Sequence, residues 1–267
     1  MTTVLVKASD IQGDVQFLDA RFNLADPQAG KRLFAEGHIE GARHIDIEDH
    51  LSDMSSEEGR HPMPTKAQLT ATFRQLGLTY DKPIYIYDNG GEPFAARAYF
   101  MLQYGGFTNS YIVQDGYEGL QRAGFAVTTA VETATSDVDV QFNDDLYVDR
   151  AAVKEVARGK VNKVLLDARS EVRYRGEEEP IDAIAGHIPR ARNYDWEQLV
   201  TEGMLAPNAT LANTVSEDES IIVYCGSGVT ASPLYAMLKE AGYRNVQVYT
   251  GSYSDWIREE PVVQERS

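Results

Sequence analysis

Cys225 is the only cysteine among 267 residues, and it stands between two contrasting stretches. Before it, Ile221-Ile222-Val223-Tyr224 reads as a short buried strand; after it, Gly226-Ser227-Gly228-Val229-Thr230 reads as a loop of mostly small residues, and Ala231 to Glu240 as a helix. A thiol at such a strand-to-helix turn faces a ring of backbone N–H groups and the positive end of a helix dipole, which together favour an anionic sulfur. The position therefore suits a nucleophile better than the inert buried cysteine that lone cysteines often become.

The elements that must hold this loop come in duplicate. Leu18-Asp19-Ala20-Arg21 recurs as Leu166-Asp167-Ala168-Arg169, and Gly37-His38-Ile39 with Ala42-Arg43 recurs as Gly186-His187-Ile188 with Ala191-Arg192. Ile84-Tyr85-Ile86-Tyr87 recurs as Ile221-Ile222-Val223-Tyr224, Tyr104-Gly105-Gly106-Phe107 as Glu240-Ala241-Gly242-Tyr243, and Gly116-Tyr117 within Gly251-Ser252-Tyr253. Five matches in one order mean two copies of one domain. Apolar strands alternate with helices in each copy, which predicts an α/β fold: two tandem domains, each a mostly parallel sheet flanked by helices. The expected division is a first domain over 1–127, a polar extended linker over 128–143 and a second domain over 144–267.

The copies differ in two ways. Asp88 occupies the place of Cys225, so the first copy keeps the turn without the nucleophile. The first copy is also about a dozen residues longer between its Gly-His-Ile motif and its central strand, the excess falling in Ser52 to Pro64. An inert copy with a polar insertion is expected to lend it to the active copy's pocket.

Composition narrows the function. With 43% apolar residues and charges spread throughout, the chain has ample material for a core, and a net charge of −16 argues against nucleic acids and anionic membranes as partners. An anionic substrate would need local arginines. No stretch has the length of a membrane-spanning helix. The start, Met1-Thr2-Thr3-Val4-Leu5-Val6-Lys7, lacks the pattern of a signal peptide. One cysteine excludes internal disulfides and fits a reducing cytoplasm, and five scattered histidines offer no metal spacing. Neither a metal nor another cofactor is expected.

The duplicated domains, the single cysteine, the paired Gly-His-Ile motifs and Gly251-Ser252-Tyr253-Ser254-Asp255-Trp256 resemble the tandem rhodanese family of sulfurtransferases. The loop Cys225–Thr230 resembles the form typical of the mercaptopyruvate branch, whereas thiosulfate-specific members carry basic residues there. The chemistry of the residues agrees, because an uncharged loop suits a monoanionic donor better than dianionic thiosulfate. A cysteine phosphatase would need an arginine closing the loop, where Ala231 and Ser232 stand instead.

The resemblance implies a two-step transfer. Cys225 takes sulfur from 3-mercaptopyruvate, and the persulfide passes it to cyanide, a thiol or a thioredoxin-like protein. Backbone N–H groups of Gly226, Ser227, Gly228, Val229 and Thr230 would stabilise the sulfur anion. Ser227, His61 (by its His-x-x-Pro context) and an acid at Glu48, or at Asp46 two residues earlier, match the family's triad. Arg173, in Arg173-Tyr174-Arg175-Gly176, matches a carboxylate-binding arginine; the family's second arginine falls on Ile181, leaving Arg60 and Arg175 as substitutes. Arg97 is placed near the cleft, as a substrate ligand or as an interdomain ion pair. His38 and His187 occur in both copies and read as parts of the fold, as do Arg21 and Arg169, paired with acids. Trp196 and Trp256 read as core or rim aromatics, and Glu177-Glu178-Glu179 as a solvated run. The alternatives are transfer from thiosulfate, and a low-turnover persulfide carrier or redox sensor.

Overall fold

Four-residue apolar strands flanked by helices can be buried on both faces only in a parallel sheet, and each copy builds one. In this computed structural model, which describes residues 3–265, the first sheet runs Leu5–Val6, Ser110–Val113, Ile84–Tyr87, Gln16–Asp19, Arg43–His44, with every pairing parallel. Met1 and Thr2, part of the N-terminal stretch considered above, lie outside the described residues. The second sheet runs Val246–Val248, Ile221–Tyr224, Val164–Asp167, Arg192–Asn193, again all parallel. A parallel bridge from Tyr147 to Val248 supplies the position that Leu5–Val6 fills in the first copy.

Each copy is pinned by the same buried pair. Arg21 meets Asp19 and donates to Gly37 O at 2.7 Å; Arg169 meets Asp167 and donates to Gly186 O at 2.7 Å. The guanidinium of Arg21 lies 4.0 Å from the Tyr117 ring centre, and that of Arg169 lies 3.8 Å from Tyr253. His38 stacks on Phe34 and His187 on Tyr174, each ring bonded through Nδ1 to the carbonyl of the residue it stacks on. Identical contacts in the copy with a cysteine and the copy without one are contacts of the fold.

The two copies share one core. Helix Phe94–Tyr104, which follows the Asp88 turn, packs along helix Ala231–Glu240, which follows the Cys225 loop, and both are buried nearly all round. Phe100 meets Tyr235 edge-on with ring centres 5.3 Å apart. A helix apolar on every side needs a second partner beyond its own sheet, and here the partner is the other copy's helix. Truncating a fully buried residue of the second helix such as Leu234 costs about 2–5 kcal/mol.

Two features go beyond the sequence reading. The linker 128–143 is extended but not loose: Thr128 is still paired to His38, Ser136 Oγ donates to Leu78 O at 2.7 Å, Asn143 N–H donates to Tyr104 O at 2.8 Å, and Val138, Val140 and Phe142 rest on the core. The second copy also carries a hairpin, Val200–Thr201 with Met204–Leu205, whose turn residues Glu202 and Gly203 have φ of 51° and 74°. Two consecutive positive φ values are those of a tight type I′ turn. No described helix is long and apolar enough to cross a membrane, and no described cluster of three or more His, Cys, Asp or Glu is placed to hold a metal.

Candidate active site

Parallel strands gather their loops at their C-terminal ends, and the site forms there. Strand Ile221–Tyr224 delivers Cys225, whose sulfur accepts the N–H of Gly228 at 3.0 Å. Gly228 has φ 82°, and a Cβ there would run into Thr250 O, so only glycine lets the loop curl back under the sulfur. Val229 sits in the core, its carbonyl accepting Ser232 N–H at 3.1 Å, and Thr230 is the N-cap residue of the following helix without a side-chain cap bond. Gly226 O accepts Ser254 N–H at 2.9 Å, which ties the loop to the segment after the edge strand.

That segment holds a residue the sequence reading passed over. Ser252 is fully buried; its Oγ accepts Cys225 N–H at 3.1 Å, donates to Tyr249 O at 2.8 Å and lies 4.0 Å from the sulfur. Ser252 adopts φ 56°, while its counterpart Gly116 in the first copy has φ 59°. The glycine in the silent copy was the available signal: a serine kept in a left-handed conformation that a glycine fills elsewhere has a contact to make.

The insertion of the first copy reaches across the seam. Arg60 N–H donates to Ser254 Oγ at 3.1 Å, and His61 Nδ1 lies 2.9 Å from Ser227 Oγ. His61 Nε2 lies 3.9 Å from Glu48 Oε1. Burial, followed by the charges of Arg97 and Arg60, pushes the His61 pKa down to about 4, so the ring is neutral at neutral pH. Burial raises Glu48, with Asp46 and Asp49 adding to it. Asp46 faces elsewhere: its Oδ1 accepts the N–H groups of Glu48 and Asp49, and Oδ2 lies 3.6 Å from His44 Nε2. Of the two acids considered, Glu48 is the one beside His61.

Arg97 departs from expectation on both counts. It is fully buried, and its guanidinium donates to Gly228 O at 3.1 Å, Leu51 O at 2.9 Å and His61 O at 3.4 Å. Its two Nη atoms donate to carbonyls of both copies while the buried Nε has no partner among the described residues, so it splints the cysteine loop to the His61 segment and pairs with no carboxylate. Desolvation pulls its pKa down to about 10, leaving it cationic in the loop's wall.

Arg173 does lie over the loop. A Cβ placed on Gly226 would be 3.6 Å from its Nη2 and 2.7 Å from Nη2 of Arg60. Arg173 pairs with Glu179 at 2.7 Å and with Asp182 at 3.2 Å, and Arg60 pairs with the same Asp182. Glu179 also meets Arg169 at 3.2 Å. The acidic run is therefore only partly solvated: Glu177 and Glu178 are exposed, but the Glu179 side chain is 3% exposed because two guanidiniums draw it in. Ile181 is 60% exposed and points to solvent, and Arg175 pairs with Glu171 and Glu177 away from the loop.

A loop that gives one sulfur the Gly228 N–H, walled by arginines and faced by a His–Ser pair from two copies, is built for covalent transfer of a small anionic group. The family model for the Rhodanese-like domain matches residues 3–123 and 150–259. The chain belongs to the rhodanese family of sulfurtransferases. This sulfurtransferase is 37% identical over 256 residues to a probable 3-mercaptopyruvate sulfurtransferase of Pseudomonas aeruginosa, covering 91% of this chain and 89% of the relative. It is 36% identical over 269 residues to the putative thiosulfate sulfurtransferase SseB of Mycobacterium tuberculosis, covering 95% and 93%. Among solved structures it matches that of SseA from Escherichia coli, one of the 3-mercaptopyruvate sulfotransferases, with TM-score 0.78, 31% identity and coverage of 95% and 100%. The tandem α/β architecture expected from the internal repeat is thus the architecture of the family.

Proposed function

We propose that this sulfurtransferase takes its sulfur from 3-mercaptopyruvate, with Cys225 as the carrier. The observation that carries this reading is the His61 Nδ1–Ser227 Oγ contact of 2.9 Å, made between the two copies on the loop that bears the cysteine. Transfer from an α-keto donor leaves an enolate, and a hydroxyl coupled to a neutral imidazole suits that intermediate. Thiosulfate releases sulfite and has no need of such a pair.

In the first half-reaction the Cys225 thiolate attacks the donor sulfur. An S–S bond forms, the donor's S–C bond breaks, and its electron pair becomes the enolate of pyruvate. Ser227 turns its hydroxyl from His61 to the enolate oxygen, a rotation about one bond, and the proton on the transferred sulfur ends on carbon. The products are pyruvate and the Cys225 persulfide anion, held by Gly228 N–H. In the second half, cyanide or a thiol attacks the outer sulfur, the S–S bond breaks and the Cys225 thiolate returns; a thioredoxin-like protein fits the thiol role. Arg173 faces the donor's carboxylate, Arg97 fixes the loop, and Glu48 orients His61. A lone unbridged cysteine suits work in a reducing cytoplasm.

The test compares donors. With cyanide as acceptor, kcat/KM for 3-mercaptopyruvate exceeds that for thiosulfate, and Cys225→Ser abolishes turnover together with the one-sulfur mass gain on the protein. A higher kcat/KM for thiosulfate would overturn the donor, and turnover surviving in Cys225→Ser would overturn the carrier.

A further inference from the structure

Over Gly226 the two copies are joined by a chain of charges: Arg60 of the first, Asp182 of the second, then Arg173 and Glu179. Counted with the Arg169–Asp167 pair behind it, this patch holds three guanidiniums (Arg60, Arg169, Arg173) and three carboxylates (Asp167, Glu179, Asp182). This patch over Gly226 is thus neutral at rest, and among the described residues the buried Arg97 beneath the loop is the one cation it leaves unbalanced. The site is also closed: Cys225 is 1% exposed, and Arg60 Nη2 occupies the space beside Gly226.

The carboxylates are not equivalent. Glu179 accepts the N–H groups of Ile181 at 3.1 Å and Asp182 at 3.0 Å besides its two arginines, so it is built into the loop. Among the described residues Asp182 accepts no backbone N–H and is held by the N–H groups of the two guanidiniums alone. Its side chain is 3% exposed, and burial raises its pKa in spite of both cations, so of the two it is the carboxylate more readily given up. Arg60, with a side chain 33% exposed against 18% for Arg173, is the more accessible of its two partners.

We propose that Arg60, lent by the silent copy, is the second carboxylate-binding guanidinium of the donor site, and that Asp182 is an internal competitor that holds Arg60 and Arg173 together until the donor's carboxylate takes its place. This rests on the reading of the site as one for a carboxylate-bearing donor. The exchange swaps one carboxylate for another between the same two guanidiniums, so the patch keeps its charge while Asp182 turns to solvent. It moves Arg60 off Gly226, and the sulfur is uncovered only when an anion is there to receive the freed arginines. A donor of the right charge opens the site; a neutral oxidant does not.

Steady-state kinetics with 3-mercaptopyruvate and, separately, thiosulfate test this on the full chain. Asp182→Asn removes the competitor and lowers the KM of the preferred donor roughly 3- to 10-fold with kcat nearly unchanged. Arg60→Gln raises that KM about 10-fold or more, and Arg60→Lys, which keeps the charge without the planar fork, falls between. In Arg60→Gln/Asp182→Asn the gain from Asp182→Asn shrinks or vanishes, since the freed arginine is missing. An unchanged or raised KM in Asp182→Asn with an unaltered Tm would show a mere brace. Should Asp182→Asn fold poorly, Arg60→Gln alone decides, at a partly exposed position: an unmoved KM for both donors refutes the proposal. If the donor reading is wrong instead, thiosulfate is the better substrate of the wild type and the KM shifts appear with it.

Discussion

The chain contains the same turn twice, and the two turns solve one problem differently. Backbone N–H groups converging on a helix start require an anion or an acceptor. In the second copy the acceptor is the Cys225 sulfur, bonded to Gly228 N–H. In the first it is the Asp88 carboxylate, which accepts Gly90 N–H at 2.8 Å and Ala95 N–H at 3.0 Å. Gly91, with φ 65°, repeats the left-handed glycine Gly228 at 82°. Each loop is covered by the other copy, the Cys225 loop by Arg60 and His61, the Asp88 loop by the hairpin turn at Gly203, whose carbonyl would lie 2.7 Å from a Cβ on Gly91. One cover brings a base and a cation; the other brings a carbonyl. The turn makes an anion hole, and the cover decides whether that hole is a site or a plug.

The strongest way to break this comparison is to move the nucleophile. Asp88→Cys in a Cys225→Ser background should leave sulfur transfer abolished, because the new thiol would sit in a loop covered by the Gly203 turn, with neither Arg60 nor His61 over it. Restored thiocyanate formation, or a persulfide found on residue 88 by mass spectrometry, would show that the turn alone suffices and that the cover is incidental.

A smaller effect separates the two covers chemically. His61→Ala should lower kcat with 3-mercaptopyruvate by about 10²-fold, the usual range for losing a positioned proton-handling group. The pH profile sharpens this. A histidine whose pKa burial has pushed down to about 4 stays neutral throughout the range above, so kcat should show no acid limb near 6.5. A limb at that pH, present in the wild type and absent in His61→Ala, would mean that the imidazole is solvated and that the insertion does not close over Ser227.

What could be read in advance follows from where the information lies. The repeat is written in short motifs whose residues make local contacts, such as Asp19 with Arg21 or His38 with Phe34, so the fold and both turns were legible. His61 and Ser227 came from the resemblance and were brought together across 166 positions of sequence. The charge network over Gly226 was not legible, because it depends on which copy's side chain faces which. Arg60 stood only as one of two substitutes for the missing arginine, Asp182 carried no motif, and Glu179 sat in a run of acids that composition assigns to solvent. Arg97 misled for the opposite reason. A buried arginine normally implies a carboxylate or a ligand, and here three carbonyls at a seam between copies take its Nη donors instead, a pattern without sequence signature.

The smallest expected effect is in stability, and it tests the claim that Asp88 is a plug. Burial, aided by Glu92 and Asp19 and opposed by the Ala95 and Gly90 N–H groups, raises the Asp88 pKa to about 7 from an ordinary 3.8. Between those values the folded chain binds a proton that the unfolded chain has released, so stability falls as pH rises through this window. The loss is at most on the order of 4 kcal/mol for a shift of this size. Asp88→Asn is neutral at every pH. It gives up one accepted N–H bond, costing about 1 kcal/mol, but abolishes the slope. Urea unfolding at pH 5 and pH 8 therefore finds the variant gaining on the wild type by roughly 2–3 kcal/mol between the two pH values, while groups such as His61, which titrate in both proteins, cancel in the difference. Parallel curves for the two proteins would mean that Asp88 is already ionised at pH 5, with the turn's N–H groups outweighing its burial. The silent loop would then be an anion hole as complete as the one that holds Cys225, distinguished from it by its cover alone.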